Sequence, residues 1–172
     1  MGGGVGAEET ADGVGPGNGL GGLMTVLVAG AGRDLSLGEV SFTVRLRVVS
    51  LNSGRGRGDC TVSLWHCGGH RGCSRQRTDR DGWVSFGSAF PGVYSGHWPH
   101  VHFAVHSGGD DDSLLHSAQL ALPGDACAKA GRSTGGMRLA EDGCFSGGWA
   151  LEIPSVTGDV TRGMVATRTV GV

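Results

Sequence analysis

The chain has 172 residues, 35 of them glycine, with 38% hydrophobic residues and a net charge of −2. That length suits one domain with its own core, and glycine without a Gly-X-Y period excludes collagen and an ordinary helical protein. Fourteen basic residues against 16 acidic ones leave no patch suited to a phosphate backbone, so no nucleic-acid partner is expected.

Residues 1–22 (MGGGVGAEETADGVGPGNGLGG) read as a flexible Gly-rich leader, with a single domain over 23–172. The leader has too few apolar groups to offset its own ordering entropy. Its GxG fragments follow no strand and open no helix, which argues against a dinucleotide loop. It also lacks the basic and apolar regions of a signal peptide. No apolar run approaches the ~20 residues that span a bilayer, so a cytoplasmic protein with no membrane partner is expected.

The strand signals then follow in order. Residues 24–29 (MTVLVA) are a short apolar run. Over 40–48, Val40, Phe42, Val44, Leu46 and Val48 alternate with Ser41, Thr43, Arg45 and Arg47. That is a strand with one wet face. Residues 51–59 read as a loop and 61–66 (TVSLWH) as the next strand. Asp81-Gly82 predicts a tight turn before Trp83–Phe86, and Pro91-Gly92 a further one. Residues 99–106 (PHVHFAVH) alternate again, with 117–122 expected to pair nearby. Residues 125–141 hold a helical turn or two, and 148–153 and 160–170 supply the last strands. Many short strands with almost no helix predict an all-β fold, a sandwich or barrel.

Five cysteines are present: Cys60, Cys67, Cys73, Cys127 and Cys144. An odd count in a chain of this size does not suggest a disulfide framework. Cys67, His70 and Cys73, joined by Cys60 or His66, resemble a compact zinc cluster, although the spacing matches no common zinc module. The Asp110–Asp112 run lacks the ligand spacing of a calcium loop and reads as a solvated turn.

The segment PGVYSGHWPHVHFAVH (91–106) carries the chemistry. Residues i and i+2 of a strand share a face, so His100 and His102 project together, opposite Val101, Phe103 and Val105. Two such imidazoles can hold one metal ion, and the phenolate of Tyr94, in the preceding turn, is a hard ligand that favours ferric iron. The plainer reading is a polar strand face that His106 extends, with Tyr94 as an ordinary core tyrosine. Trp98 is the tryptophan placed nearest a substrate.

The order LWHC (64–67), TDRDGWVSF (78–86) and FPGVYSGHWPHVHF (90–103) resembles the signature of the intradiol ring-cleavage dioxygenases, the protocatechuate and catechol dioxygenase-like family. VSFTVRLRVVS (40–50), QLALP (119–123) and 156–172 resemble its opening and closing strands, so the resemblance covers roughly 38–172. It implies a β-sandwich of mostly antiparallel strands. It also implies a non-heme Fe(III) centre that binds a catechol, with Tyr94, His100 and His102 matching three of four protein ligands. Three departures bear on that site. Tyr94 is the only tyrosine, and the interval that carries the second one is only GGHRGCSRQR (68–77). His97 replaces an arginine that lies beside the substrate and stabilises charge, and a histidine there is a candidate general acid or base. Val93 stands where an aromatic residue often precedes the ligand tyrosine.

The resulting expectation is an enzyme acting on a phenolic or other small-molecule substrate through an altered iron site, with Tyr94 and His97 catalytic. The alternatives are a metal-free, repurposed pocket performing a cyclisation, isomerisation or elimination in natural-product biosynthesis, and a non-catalytic binding protein. Self-association into a homo-oligomer is compatible with all three.

Overall fold

The computed structural model describes residues 39–66, 73–94, 96–109, 112–145, 147–148 and 153–172. The leader 1–22, the apolar run 24–29, and Cys67 and His70 of the suggested zinc cluster lie outside the described residues.

Strand β1 (Ser41–Val49) shows why its sequence alternates: Phe42, Val44, Leu46 and Val48 are buried while the residues between them are more open. On the open face the Arg45 guanidinium lies 4.8 Å from the Trp83 ring centroid, so even the wet side shelters an aromatic. Strands β2 (Cys60–Trp65), β3 (Ser74–Arg77), β4 (Trp83–Ala89), β5 (His100–Ser107) and β6 (Leu114–Ala121) follow. After a short helix, α1 (Gly124–Lys129), and two 3-10 turns (Leu139–Glu141 and Gly143–Phe145), β7 (Ser155–Asp159) and β8 (Gly163–Gly171) close the fold.

The strands form two four-stranded sheets, β4-β1-β8-β7 and β3-β2-β5-β6. All pairings are antiparallel except β1 with β8. One apolar cluster draws Phe42, Val44, Leu46, Phe86 and Met164 from the first sheet and Val62, Val101, Phe103, Val105 and Leu120 from the second. Burying this apolar area is the main driving force of the fold. The two sheets face each other across it, which is the all-β sandwich expected from the strand pattern.

Two expected strands differ. Residues 160–162 do not extend β8; they form a turn in which Asp159 Oδ1 accepts the N–H of Thr161 and of Arg162. The span 148–153 shows no strand at its described ends, Gly148 and Ile153. The Asp81-Gly82 turn is present, with Gly82 at φ +83° and its Cα against the Val48 carbonyl, where a Cβ has no room. Among the described residues no helix is long and apolar enough to cross a membrane.

Candidate functional site

Strand β5 departs from simple alternation at its start, where both faces are covered. Val101 and Phe103 enter the core between the sheets. His100, on the opposite face, is only 4% exposed. Phe145 covers it edge-on, with ring centroids 5.5 Å apart. Phe145, Trp98 and Ala121 form a second, small apolar cluster outside the main core.

His100 and His102 converge as the i, i+2 spacing requires: their Nε2 atoms lie 3.1 Å apart. His100 Nδ1 lies 2.5 Å from the Trp98 carbonyl oxygen. A carbonyl only accepts, so neutral His100 carries its proton on Nδ1 and presents the Nε2 lone pair to His102. Two nitrogens bound at about 2.1 Å to one ion, at right angles, stand roughly 3 Å apart. The observed separation therefore fits a shared ion. Trp65 stacks on His102 at 5.3 Å with an interplanar angle of 8°. Burial, then the neighbouring His100 and His66, push the His102 pKa down to about 4. His102 is thus a neutral imidazole at pH 7, the form that ligates metals.

Tyr94 opens a tight turn: the His97 N–H donates to the Tyr94 carbonyl at 2.8 Å, with Gly96 at φ +80°. The tyrosine is 50% exposed. The turn sets it at the entrance to the histidine strand.

His97 stands with its ring centroid 6.4 Å from that of His100. Its Nδ1 is 3.1 Å from Asp142 Oδ1, whose side chain is 1% exposed. Asp142 also accepts the backbone N–H of Trp98 through Oδ2 at 2.6 Å and that of Cys144 through Oδ1 at 2.9 Å. Burial alone would raise its pKa. The N–H of Cys144, the His97 ring and the N–H of Trp98 outweigh that and hold it below the ordinary carboxylate value. Trp98 lies beneath the site, buried, with its indole N–H donated to the Leu122 carbonyl at 2.7 Å.

A cavity of about 260 Å³ opens beside these groups, lined by Ser117, Ala118, Gln119, Cys144, Phe145 and the Gly147-Gly148 backbone. Gln119 is the cross-strand partner of His102, so the two side chains share a face. Its Oε1 is buried without a hydrogen-bond partner. An acceptor in that state is stabilised by an incoming donor.

Of the residues singled out in the sequence, the structure brings His97, Trp98, His100 and His102 together, and beside them it places Asp142, Phe145, Gln119 and Cys144, which the sequence did not single out for this site. Asp142 reaches Trp98 across 44 positions, and nothing in the Gly-rich segment around it carries a periodic signal. Of the suggested zinc cluster, Cys60 is buried and Cys73 exposed.

Several solved dioxygenases have a similar architecture. An intradiol ring-cleavage dioxygenase from Tetranychus urticae superposes with a TM-score of 0.66 at 19% identity, covering 77% of this chain and 80% of that one. The dioxygenase domain of a carbohydrate-binding fusion from Streptomyces sp. SirexAA-E gives 0.57 at 19%, covering 77% and 79%. Chlorocatechol 1,2-dioxygenase from Pseudomonas putida gives 0.57 at 18%, covering 81% and 62%.

The chain has the fold of the intradiol ring-cleavage dioxygenases.

No family model and no curated protein matches the sequence. At these identities the likeness concerns the intradiol fold, and chemistry has to be argued from the site. The donor set fits iron in part: His100 and His102 are oriented for one ion, and Tyr94 supplies the sole phenol in the chain.

Proposed function

We propose that this protein is a non-heme iron oxidoreductase acting on a phenolic or similarly electron-rich small molecule, with iron held by His100, His102 and Tyr94. The observation that carries this reading is the His100–His102 pair, 3.1 Å apart at Nε2, with the His100 tautomer fixed by the Trp98 carbonyl. A 3.1 Å separation between the two Nε2 atoms suits either a shared proton or a shared cation, and binding of a cation needs only loss of the proton between them.

A ferric ion bound there would ligate a phenolate substrate and make it reactive toward O2. The chain's own groups then bind and orient that substrate. Gln119 lies on the cavity wall, and its side-chain amide is the group that would meet a substrate hydroxyl there. Phe145 supplies an apolar face and keeps water from His100. His97, with Nδ1 engaged by Asp142, leaves Nε2 for hydrogen bonding or proton exchange with the substrate.

The test is iron content and a visible spectrum on the freshly purified protein. About one iron per chain with a tyrosinate-to-iron band, bleached in Tyr94→Phe, is the expected result. A band unchanged in that variant overturns the Tyr94 assignment. Colourless, metal-free protein after iron reconstitution overturns the iron reading and leaves a pocket for non-oxidative chemistry.

A further inference from the structure

A second cluster of metal-ligating atoms lies beside the histidine pair and shares no residue with it. His97 Nδ1, Asp142 Oδ1 and Cys144 Sγ come within 4.8 Å of one another. Nδ1 is 3.1 Å from Oδ1 and 3.3 Å from Sγ.

A cysteine, a histidine and an aspartate together suggest a nucleophilic triad first. The geometry rules against it. In such a triad the acid holds one imidazole nitrogen and the nucleophile meets the other. Here the carboxylate and the sulfur converge on the same nitrogen, Nδ1. Groups that converge on one point are arranged as ligands around an ion. The corners of a tetrahedron with ligand bonds of about 2.0–2.3 Å are roughly 3.3–3.6 Å apart, close to the two separations from Nδ1, and the Oδ1–Sγ edge is within 4.8 Å.

The carboxylate is also built for the task. Asp142 is buried, and its two oxygens are fixed by the N–H groups of Trp98 and Cys144. Such supporting hydrogen bonds orient a ligand before the ion arrives. His97 is held on its turn by the bond from its N–H to the Tyr94 carbonyl. Cys144 is exposed and His97 partly so, which gives an ion an entry path and leaves its fourth position to water.

We propose that His97, Asp142 and Cys144 form a site for a borderline divalent ion of the zinc class. One thiolate, one imidazole and one carboxylate suit zinc better than magnesium or calcium, which take oxygen ligands. On binding, Cys144 releases its thiol proton to solvent and His97 carries its ring proton on Nε2. The ion ties the Gly143–Phe145 turn to the segment 94–98. That segment leads into His100, and the turn presents Phe145 to it. The site does not depend on the iron reading.

The experiment uses the full chain, stripped with EDTA and titrated with Co2+ as a spectroscopic stand-in for Zn2+. One equivalent should give the d–d bands of tetrahedral cobalt and a near-ultraviolet thiolate-to-cobalt band. Cys144→Ser should abolish the thiolate band and weaken Zn2+ binding at least about tenfold, and Asp142→Asn should weaken it similarly. Cys73→Ser should change neither. Without any variant, Zn2+ should slow alkylation of Cys144 at least about tenfold, read on its peptide by mass spectrometry. Wild-type protein without a thiolate band overturns the proposal. So does a band that survives in Cys144→Ser, or Cys144 that alkylates equally fast with and without Zn2+. The iron reading is tested apart from this, because Cys144→Ser should keep any tyrosinate-to-iron band.

Discussion

Asp142 accepts the backbone N–H of Trp98 at 2.6 Å, from a side chain that is 1% exposed and 44 positions away in sequence. This bond fixes the chain after the first 3-10 turn (Leu139–Glu141) against the entrance of β5. Replacing Asp142 by alanine leaves the Trp98 N–H without its acceptor and empties the contact to His97. A loss of about 1–3 kcal/mol in denaturant unfolding is expected. A loss below the error of the measurement would mean that the turn is held by other contacts.

The same carboxylate gives a pH dependence. Its folded pKa lies below the ordinary value, through the N–H of Cys144, the His97 ring and the N–H of Trp98, which together overcome burial. The unfolded chain therefore takes up the Asp142 proton first as pH falls. The stabilisation is complete above the unfolded value of about 3.9 and is lost as pH drops through the folded value. Urea midpoints for wild type and Asp142→Asn should differ by a constant amount from pH 7 to about 5 and converge below pH 4. Parallel curves down to pH 2 would show that Asp142 ionises as in the unfolded chain.

The thiols should separate by environment. Burial pushes Cys127 up to about 11 and raises Cys60 as well, while Cys73 and Cys144 are exposed. Only the thiolate reacts with alkylating agents. In metal-free buffer at pH 8 the peptides bearing Cys73 and Cys144 should be labelled first. Those bearing Cys60 and Cys127 should be labelled only after denaturation. Early labelling of Cys127 would show local opening around α1.

How much of this was legible in the sequence depended on which forces left a local pattern. Strand β1 has one face in the core and one in water, so its period of two is written directly in Phe42, Val44, Leu46 and Val48. Strands β3 and β7 are edge strands whose residues are mostly open, SRQR and SVTGD. With only Val156 of β7 packed against the core, they carry no alternation. The turn at 160–162 read as strand because Val160 and Thr161 favour strands, but the Asp159 carboxylate captures two backbone N–H groups and bends the chain. His100 and His102 were legible because their spacing alone puts them together. Asp142 and Cys144 meet His97 from 45 and 47 positions away, a relationship that only the closed sandwich creates.

Phe145 ties the architecture to the candidate site. Its ring is 3% exposed and meets His100 edge-on, in a cluster with Trp98 and Ala121. Phe145→Ala removes one of that small cluster's two aromatic rings and opens His100 to water. A destabilisation of about 3 kcal/mol is expected, because a buried aromatic is lost and the site can collapse only in part. Phe145→Leu keeps much of the volume and should lose less than about 1.5 kcal/mol. If Phe145 serves the histidine pair as well as the fold, the alanine variant should also exchange His100 ring and nearby backbone protons faster in NMR, while the core around Phe103 stays protected. Equal exchange at both places would mean that the substitution loosened the whole sandwich and that Phe145 has no separate part in shielding the site.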